Sequence, residues 1–322
     1  MSFIAVLFAL LIEQARPLGR GNVVHASLRT WIRWSSRYFD TGRPIHGWLA
    51  WGCAVLGPAI VSLLIYVALY YFVGWPLAIL WSVAVLYVTL GFRQFSFHFT
   101  QIRDALADGD EALARQLLAE WQQIDARELP RSEIVRHVIE HSVLSAHRHV
   151  FGVLAWFSIL AALGLGPTGA VIYRLGEFVV RYWQHKSKTH HEPVSEALQV
   201  IASEAWRFVD WVPARMTAIS FAVVGSFEET IDSWRNYTPR FSGDSDGILL
   251  AATSGAVNIR LGEAMASAAP ADLQENNPKA NESALGQTPE LAHLAVIVGL
   301  VWRTVVMWMV LLALLTLARL LG

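Results

Sequence analysis

Charge is scarce in this chain. Only 16% of its 322 residues are Asp, Glu, Lys or Arg, against about 25% in an ordinary soluble protein. The net charge of −1 excludes the positive field that holds proteins on nucleic acid. A single cysteine, Cys53, excludes an internal disulfide and with it a disulfide-framed secreted scaffold. A hydrophobic fraction of 54% excludes a disordered chain. Gly-rich phosphate loops and Ser- or Cys-centred nucleophile motifs are missing. No internal repeat is evident, so the two related halves of many transporters are missing as well.

What the chain has instead is long apolar runs. From Gly47 to Phe92 there are 46 residues without a Lys or Arg, room for about two helices across a hydrocarbon core of roughly 30 Å. Gly74-Trp75-Pro76 breaks the run, because Pro cannot continue the hydrogen-bond ladder. The expectation is a hairpin, Gly47–Val73 and Pro76–Phe92. A second hairpin is expected from Val150–Leu163 and Ala170–Trp183, turning through Gly164 to Gly169. Its arms are short enough to be tilted, re-entrant or buried. The final apolar run reads most cleanly as Thr304–Leu321, with Trp302 and Arg303 as interfacial anchors. Met1–Ile12 is apolar but is followed by Glu13 and only later by basic residues, the reverse of a signal peptide, and reads as a retained short membrane helix.

Basic residues orient these runs. Gln14–His46 holds six Arg (16, 20, 29, 33, 37, 43), Arg93–His149 holds seven, and Gln184–Glu192 holds Lys186 and Lys188, while the hairpin tips hold none. The positive-inside bias makes the three basic segments cytoplasmic. Within them, Phe97–Gln122 predicts two amphipathic helices broken at Asp108-Gly109-Asp110, with Asp110 capping the second. Ser132 is the expected cap of a further helix carrying Ile134, Val135, Val138, Ile139, Ser142 and Val143. Ala266–Glu290, rich in Ala, Pro, Asn and Ser, reads as a mobile loop.

Two groups of residues are candidates for chemistry. His137 and His141 share a helix face, the minimum for a two-ligand metal site, with His147, His149, His185, His190 and His191 nearby in sequence. The other pairs lack ligand spacing, and a polar face at the membrane surface explains the group without a metal. Charge inside apolar segments is more informative. Tyr173, Arg174, Glu177 and Arg181 stack along one helical face. Asp210 and Arg215 flank Pro213 beside another apolar run, Met216–Gly225, and Arg148 enters the second hairpin. Such residues cost a few kcal/mol each in a membrane unless paired or facing a wet cavity. Four Arg against two carboxylates leave a positive surplus that suits an anionic ligand; an ion-paired network that only holds the bundle together is the alternative.

At these residues the sequence resembles a known superfamily. Asp210-Trp-Val-Pro-Ala-Arg-Met-Thr, Tyr173-Arg174 and the hairpin between Val150 and Trp183 are similar to the AmpE proteins and their enzyme relatives, the CobD/CbiB adenosylcobinamide-phosphate synthases. The resemblance implies an inner-membrane protein linked to β-lactamase induction or, in the enzymes, an ATP- and Mg²⁺-dependent amide synthase of cobalamin biosynthesis. The enzymes' Glu-Asn-Thr-Val-Asp-Gly falls on Leu144, Ser145, Ala146, His147, Arg148 and His149 here, and the Asp that ends their Tyr-Arg-x-x-Asn-Thr-Leu-Asp becomes Val180. Mg²⁺ needs hard oxygen ligands, so the lost acids speak against the same chemistry.

The expectation is therefore an all-α, multi-pass bundle of transmembrane helices in a bacterial inner membrane, with a cytoplasmic helical subdomain. Its segments would be residues 1–92 with a basic stretch 14–46, cytoplasmic helices 93–149, a second hairpin and motif region 150–227, a hydrophilic segment 228–290 and a C-terminal span 291–322. The expected function is a non-enzymatic AmpE-type sensor or modulator, with a diverged adenosylcobinamide-phosphate synthase as the alternative. An anionic small molecule or a regulatory protein would bind through Arg148, Tyr173, Arg174, Glu177, Arg181, Asp210 and Arg215. No catalytic residue, metal or cofactor is assigned. Partners are the lipid bilayer and, compatibly, further copies of the chain, but not nucleic acid.

Overall fold

A computed structural model describes residues 2–16, 23–188, 194–237, 244–262 and 286–321. Among these the regular elements are all helices, joined by one isolated parallel bridge between Ile259 and Gln287. In chain order they are α1 Ser2–Ala15, α2 Val23–Phe39, α3 Pro44–Ala68, α4 Trp75–Thr89, α5 Phe92–Ala107, α6 Glu111–Gln122, α7 Arg131–Ala146, α8 Gly152–Ala162, α9 Thr168–Lys188, α10 Glu196–Val224, α11 Phe227–Tyr237, α12 Ser245–Val257 and α13 Leu291–Leu321. The chain forms two compact units, each built from separated segments. The first comprises Met1–Phe92, Arg148–Pro213 and Leu311–Gly322; the second comprises Arg93–His147 and Ala214–Val310.

In the first unit α3 starts with Pro44 in its first turn, where the missing N–H costs nothing, and runs on through a π-helical turn, Leu69–Val73. Gly74 then takes φ +116°, a region L side chains avoid, and Pro76 opens α4. The hairpin break thus falls at the expected residues, but its return arm is short. At about 1.5 Å per residue, the 15 residues of α4 reach roughly 22 Å, less than the ~30 Å of a hydrocarbon core. Among the described residues, the helices long and apolar enough to cross a membrane are Pro44–Val73, Arg131–Ala162 and Leu291–Ala318. Exposed Ile60, Val61, Leu64, Tyr71 and Phe72 on the first of these form the kind of apolar surface that lipid covers. The chain is a helical membrane protein.

One boundary differs from the sequence reading. His149 is not the end of a cytoplasmic helix. α7 passes through a π-helical turn, His147–Phe151, straight into α8, because nothing between Arg131 and Ala162 breaks the ladder. α13 begins at Leu291, where the C-terminal span is expected to begin, so Trp302 and Arg303 lie within the helix; Arg303 donates to the carbonyls of Gly299 and Val224.

The second unit's helices have the expected punctuation with one exception. Gly109 (φ +80°) separates α5 from α6, and the Asp110 carboxylate accepts the Leu113 N–H at 2.9 Å. α7, however, starts after Pro130, and Ser132 sits inside the first turn instead of capping it. Pro130 fixes the entry backbone, which a Ser cap would otherwise set. The expected loop 266–290 lies outside the described residues as far as 285. From Gly286 the chain pairs back on itself, with Arg260 N–H donating to Gln287 O and Gln287 N–H to Asn258 O, both at 2.9 Å.

Candidate functional site

The second hairpin of the first unit is assembled by small residues at points of close approach. An added Cβ on Gly169 would lie 2.0 Å from the Trp156 carbonyl, so α8 and α9 meet there without a side chain between them. An added Cβ on Gly152 would strike the Tyr173 ring at 2.0 Å. Those glycines let Tyr173 enter the core completely buried. Trp206 of α10 packs over its ring at 5.1 Å between centroids, and Trp156 Nε1 donates to the Val209 carbonyl at 2.9 Å.

Burial obliges the Tyr173 hydroxyl to find a partner. It donates to Asp210 Oδ1 at 2.7 Å, and Asp210 is itself almost wholly buried. One turn further along α9, Glu177 forms ion pairs with two guanidiniums. Arg174 Nη1 reaches one oxygen and Arg181 Nε the other, each at 2.6 Å. The three- and four-residue spacings that put these groups on one face become one shared carboxylate, 4% exposed, with a net charge of +1. The charge of Arg148, in the π-helical turn, acts on Tyr173 as well.

Five of the seven sequence-derived residues thus form three direct contacts, Tyr173 with Asp210 and Glu177 with both Arg174 and Arg181, and the charge of Arg148 acts on Tyr173. Arg215 belongs to the second unit. Sequence patterning misses Gly152, Trp156, Gly169 and Trp206. A glycine opening an apolar arm is their only signal, and glycines are too common in membrane helices to single out.

The histidines resolve differently. His141 lies edge-on to Trp121 at 4.5 Å, and Trp121 stacks on His98 at 5.8 Å. The His137 carbonyl accepts from Gln122, and His147 pairs with Thr217 Oγ1 at 3.0 Å. His190 and His191, and the side chains of His185, Lys186 and Lys188, lie outside the described residues. Among the described residues no three His, Cys, Asp or Glu are grouped to hold a metal ion. Glu177 is taken up by Arg, and Asp210 accepts from Tyr173. These donors do not fit a Mg²⁺ site.

A buried, cation-rich network in a helical membrane protein is the class these observations define. Comparison with known proteins is more specific. Residues 3–291 match the family described as CobD/Cbib protein; the chain belongs to that family. A relative from Chromobacterium violaceum, named Cobalamin biosynthesis protein CobD, is 31% identical over 221 residues, 66% of this chain and 66% of its own length. One of the same name from Stutzerimonas stutzeri is 27% identical over 267 residues, 83% of this chain and 81% of its own. The match thus spans just under two thirds of the first relative. No solved structure matches the chain. These names overturn the expectation of a non-enzymatic modulator of β-lactamase induction, and they give the AmpE resemblance no support. The replaced acids at Leu144–His149 suggest lost chemistry, but the relatives carry a biosynthetic name on the same scaffold.

Proposed function

We propose that the chain is an adenosylcobinamide-phosphate synthase, an ATP-dependent amide-forming enzyme of cobalamin assembly. It joins the amine of an aminopropanol phosphate to a side-chain carboxylate of adenosylcobyric acid, with net loss of water driven by ATP. The observation that carries this reading is family membership together with relatives named for cobalamin biosynthesis. The site's chemistry supports it. Each substrate carries an anionic group, a phosphate or a carboxylate, and guanidinium is the side chain best matched to both. Arg174 and Arg181, aligned by Glu177, would hold the anions; Arg148 adds positive field, and Asp210 orients Tyr173. The protein would sit in the bacterial inner membrane as a multi-pass bundle, hairpin tips away from the cytoplasm.

The test is turnover by detergent-purified full-length protein given ATP, Mg²⁺, adenosylcobyric acid and aminopropanol phosphate, with adenosylcobinamide phosphate read by mass spectrometry. Product above a no-enzyme control is expected. Arg174→Met should raise KM for aminopropanol phosphate by about tenfold or more, as removal of a charge-assisted contact does. Absence of product from folded protein, beside an active synthase control, would overturn the reading.

A further inference from the structure

Within the first unit, helices α2, α3, α4 and α9 surround a cavity of about 340 Å³. Its walls are almost wholly apolar, with Leu28 of α2, Pro58 of α3, Trp81 and Val85 of α4 and Leu175 of α9 among them. The Trp81 ring is fixed there, because its Nε1 donates to the Ser62 carbonyl at 3.2 Å. Thr89, also in the wall, donates its hydroxyl to the carbonyls of Val85 and Leu86. Among the described residues no carboxylate lines the cavity, so its walls offer a cation no counter-charge.

Two polar groups of the wall are left over. Ser62 is 5% exposed, and its hydroxyl has no hydrogen-bond partner. A buried hydroxyl left so is costly. Arg174, which lines the same cavity, reaches Glu177 through Nη1 alone. Its Nε and Nη2 form the parallel pair of donors that grips two oxygens of one anion, and they have no partner among the described residues. A guanidinium edge and an orphaned hydroxyl in an otherwise apolar cavity match a ligand that is anionic at one end and apolar along the rest.

We propose that this cavity binds a single hydrocarbon chain ending in an anionic group, a carboxylate or a phosphate. The anion takes the Nε–Nη2 edge of Arg174, Ser62 donates to a ligand oxygen, and the chain lies against Leu28, Trp81, Val85 and Leu175. A small inorganic anion would leave the apolar walls bare. An uncharged chain would leave the guanidinium edge unmet in apolar surroundings, which is costly. The volume lies at the low end of the roughly 300–1,000 Å³ of small-molecule sites, which favours one chain over the two of a phospholipid. On the synthase reading Arg174 also holds substrate, so a bound chain would compete with aminopropanol phosphate; that consequence, unlike the binding itself, rests on that reading.

Scintillation-proximity binding of tritiated dodecanoate to the full-length protein in phosphatidylcholine nanodiscs, read above empty nanodiscs, tests the site. Saturable binding is expected, displaced by unlabelled dodecanoate and by dodecyl phosphate; the stronger competitor of the two identifies the head. Dodecanol, with the same chain and no charge, should compete about tenfold more weakly or worse. Arg174→Met should weaken binding by about tenfold or more, and Arg174→Lys, which keeps the charge but not the paired edge, by less. The cavity-filling Val85→Phe, which leaves Arg174 in place, should abolish binding. Absence of saturable binding, dodecanol competing as well as the anions, or undiminished binding by either Arg174→Met or Val85→Phe would overturn the proposal. No readout uses turnover, so failure here and failure of the synthase reading are told apart.

Discussion

Two helices carry the same spacing with opposite signs. On α9, Glu177 sits between Arg174 and Arg181; on α7, Arg136 sits between Glu133 and Glu140. Both place the flanking charges three and four residues from a buried centre, 4% exposed for Glu177 and 7% for Arg136. Their surroundings differ. The acidic triad is closed by the backbone, for Glu140 Oε1 accepts both Arg136 and the Gly262 N–H at 2.7 Å, which ties α7 to the segment after α12. The basic triad lines an apolar cavity through Arg174. Like spacing does not imply like role. A surplus of carboxylate that a local N–H satisfies is a structural tie, whereas a surplus of guanidinium beside a cavity is equipped to meet an anion from outside.

Removing each centre should separate the two most strongly. Glu177→Gln leaves two guanidiniums that cannot discharge, one of them Arg174, 16% exposed. Thermal unfolding should then reveal a loss of about 3–5 kcal/mol, the usual cost of breaking a buried pair. Arg136→Met leaves two carboxylates, of which Glu140 keeps the Gly262 N–H, so a smaller loss of about 1–3 kcal/mol is expected in the same melts. Equal deficits for the two variants would refute the distinction.

Smaller effects refine the basic site. Gly152→Ala should cost about 1–3 kcal/mol of overpacking and displace the Tyr173 ring, reducing turnover. Gly52→Ala, where an added Cβ meets nothing within 4 Å, should leave both stability and turnover unchanged. Tyr173→Phe removes the hydroxyl that Asp210 accepts, and chemical denaturation should register about 1–2 kcal/mol. The exposed pair Arg103–Asp104, 45% and 57% accessible, provides the floor. Arg103→Ala should change stability by less than about 0.5 kcal/mol, and a larger change would argue for a role beyond surface solvation.

The α9 face is legible in the amino-acid order because i, i+3 and i, i+4 neighbours meet in any helix. So are the Gly74 break and the Asp110 cap, each a local event decided by backbone sterics or a single side chain. The identical spacing at Glu133, Arg136 and Glu140 is equally present but does not stand out, since charge on a cytoplasmic-looking amphipathic helix is ordinary. Its burial comes from packing within the second unit. The continuity of α7 with α8 is hidden by the polar-to-apolar change near His149, because composition reports environment and does not break a helix. The functional expectation fails for a related reason: substituted acids at Leu144–His149 weigh less than the scaffold they sit on.

By itself the sequence determined the helical class, the apolar runs that make this a membrane protein, and the pairing of Arg174 and Arg181 with Glu177, since all three depend on composition or on contacts within one helix. Only the tertiary structure decided that Tyr173 meets Asp210 of α10, that Gly152 and Gly169 admit the close approach of their neighbours, and that α2 roofs a cavity with Arg174 in its wall. Those contacts join residues many turns apart, and their partners are set by packing and close approach, which no local periodicity encodes.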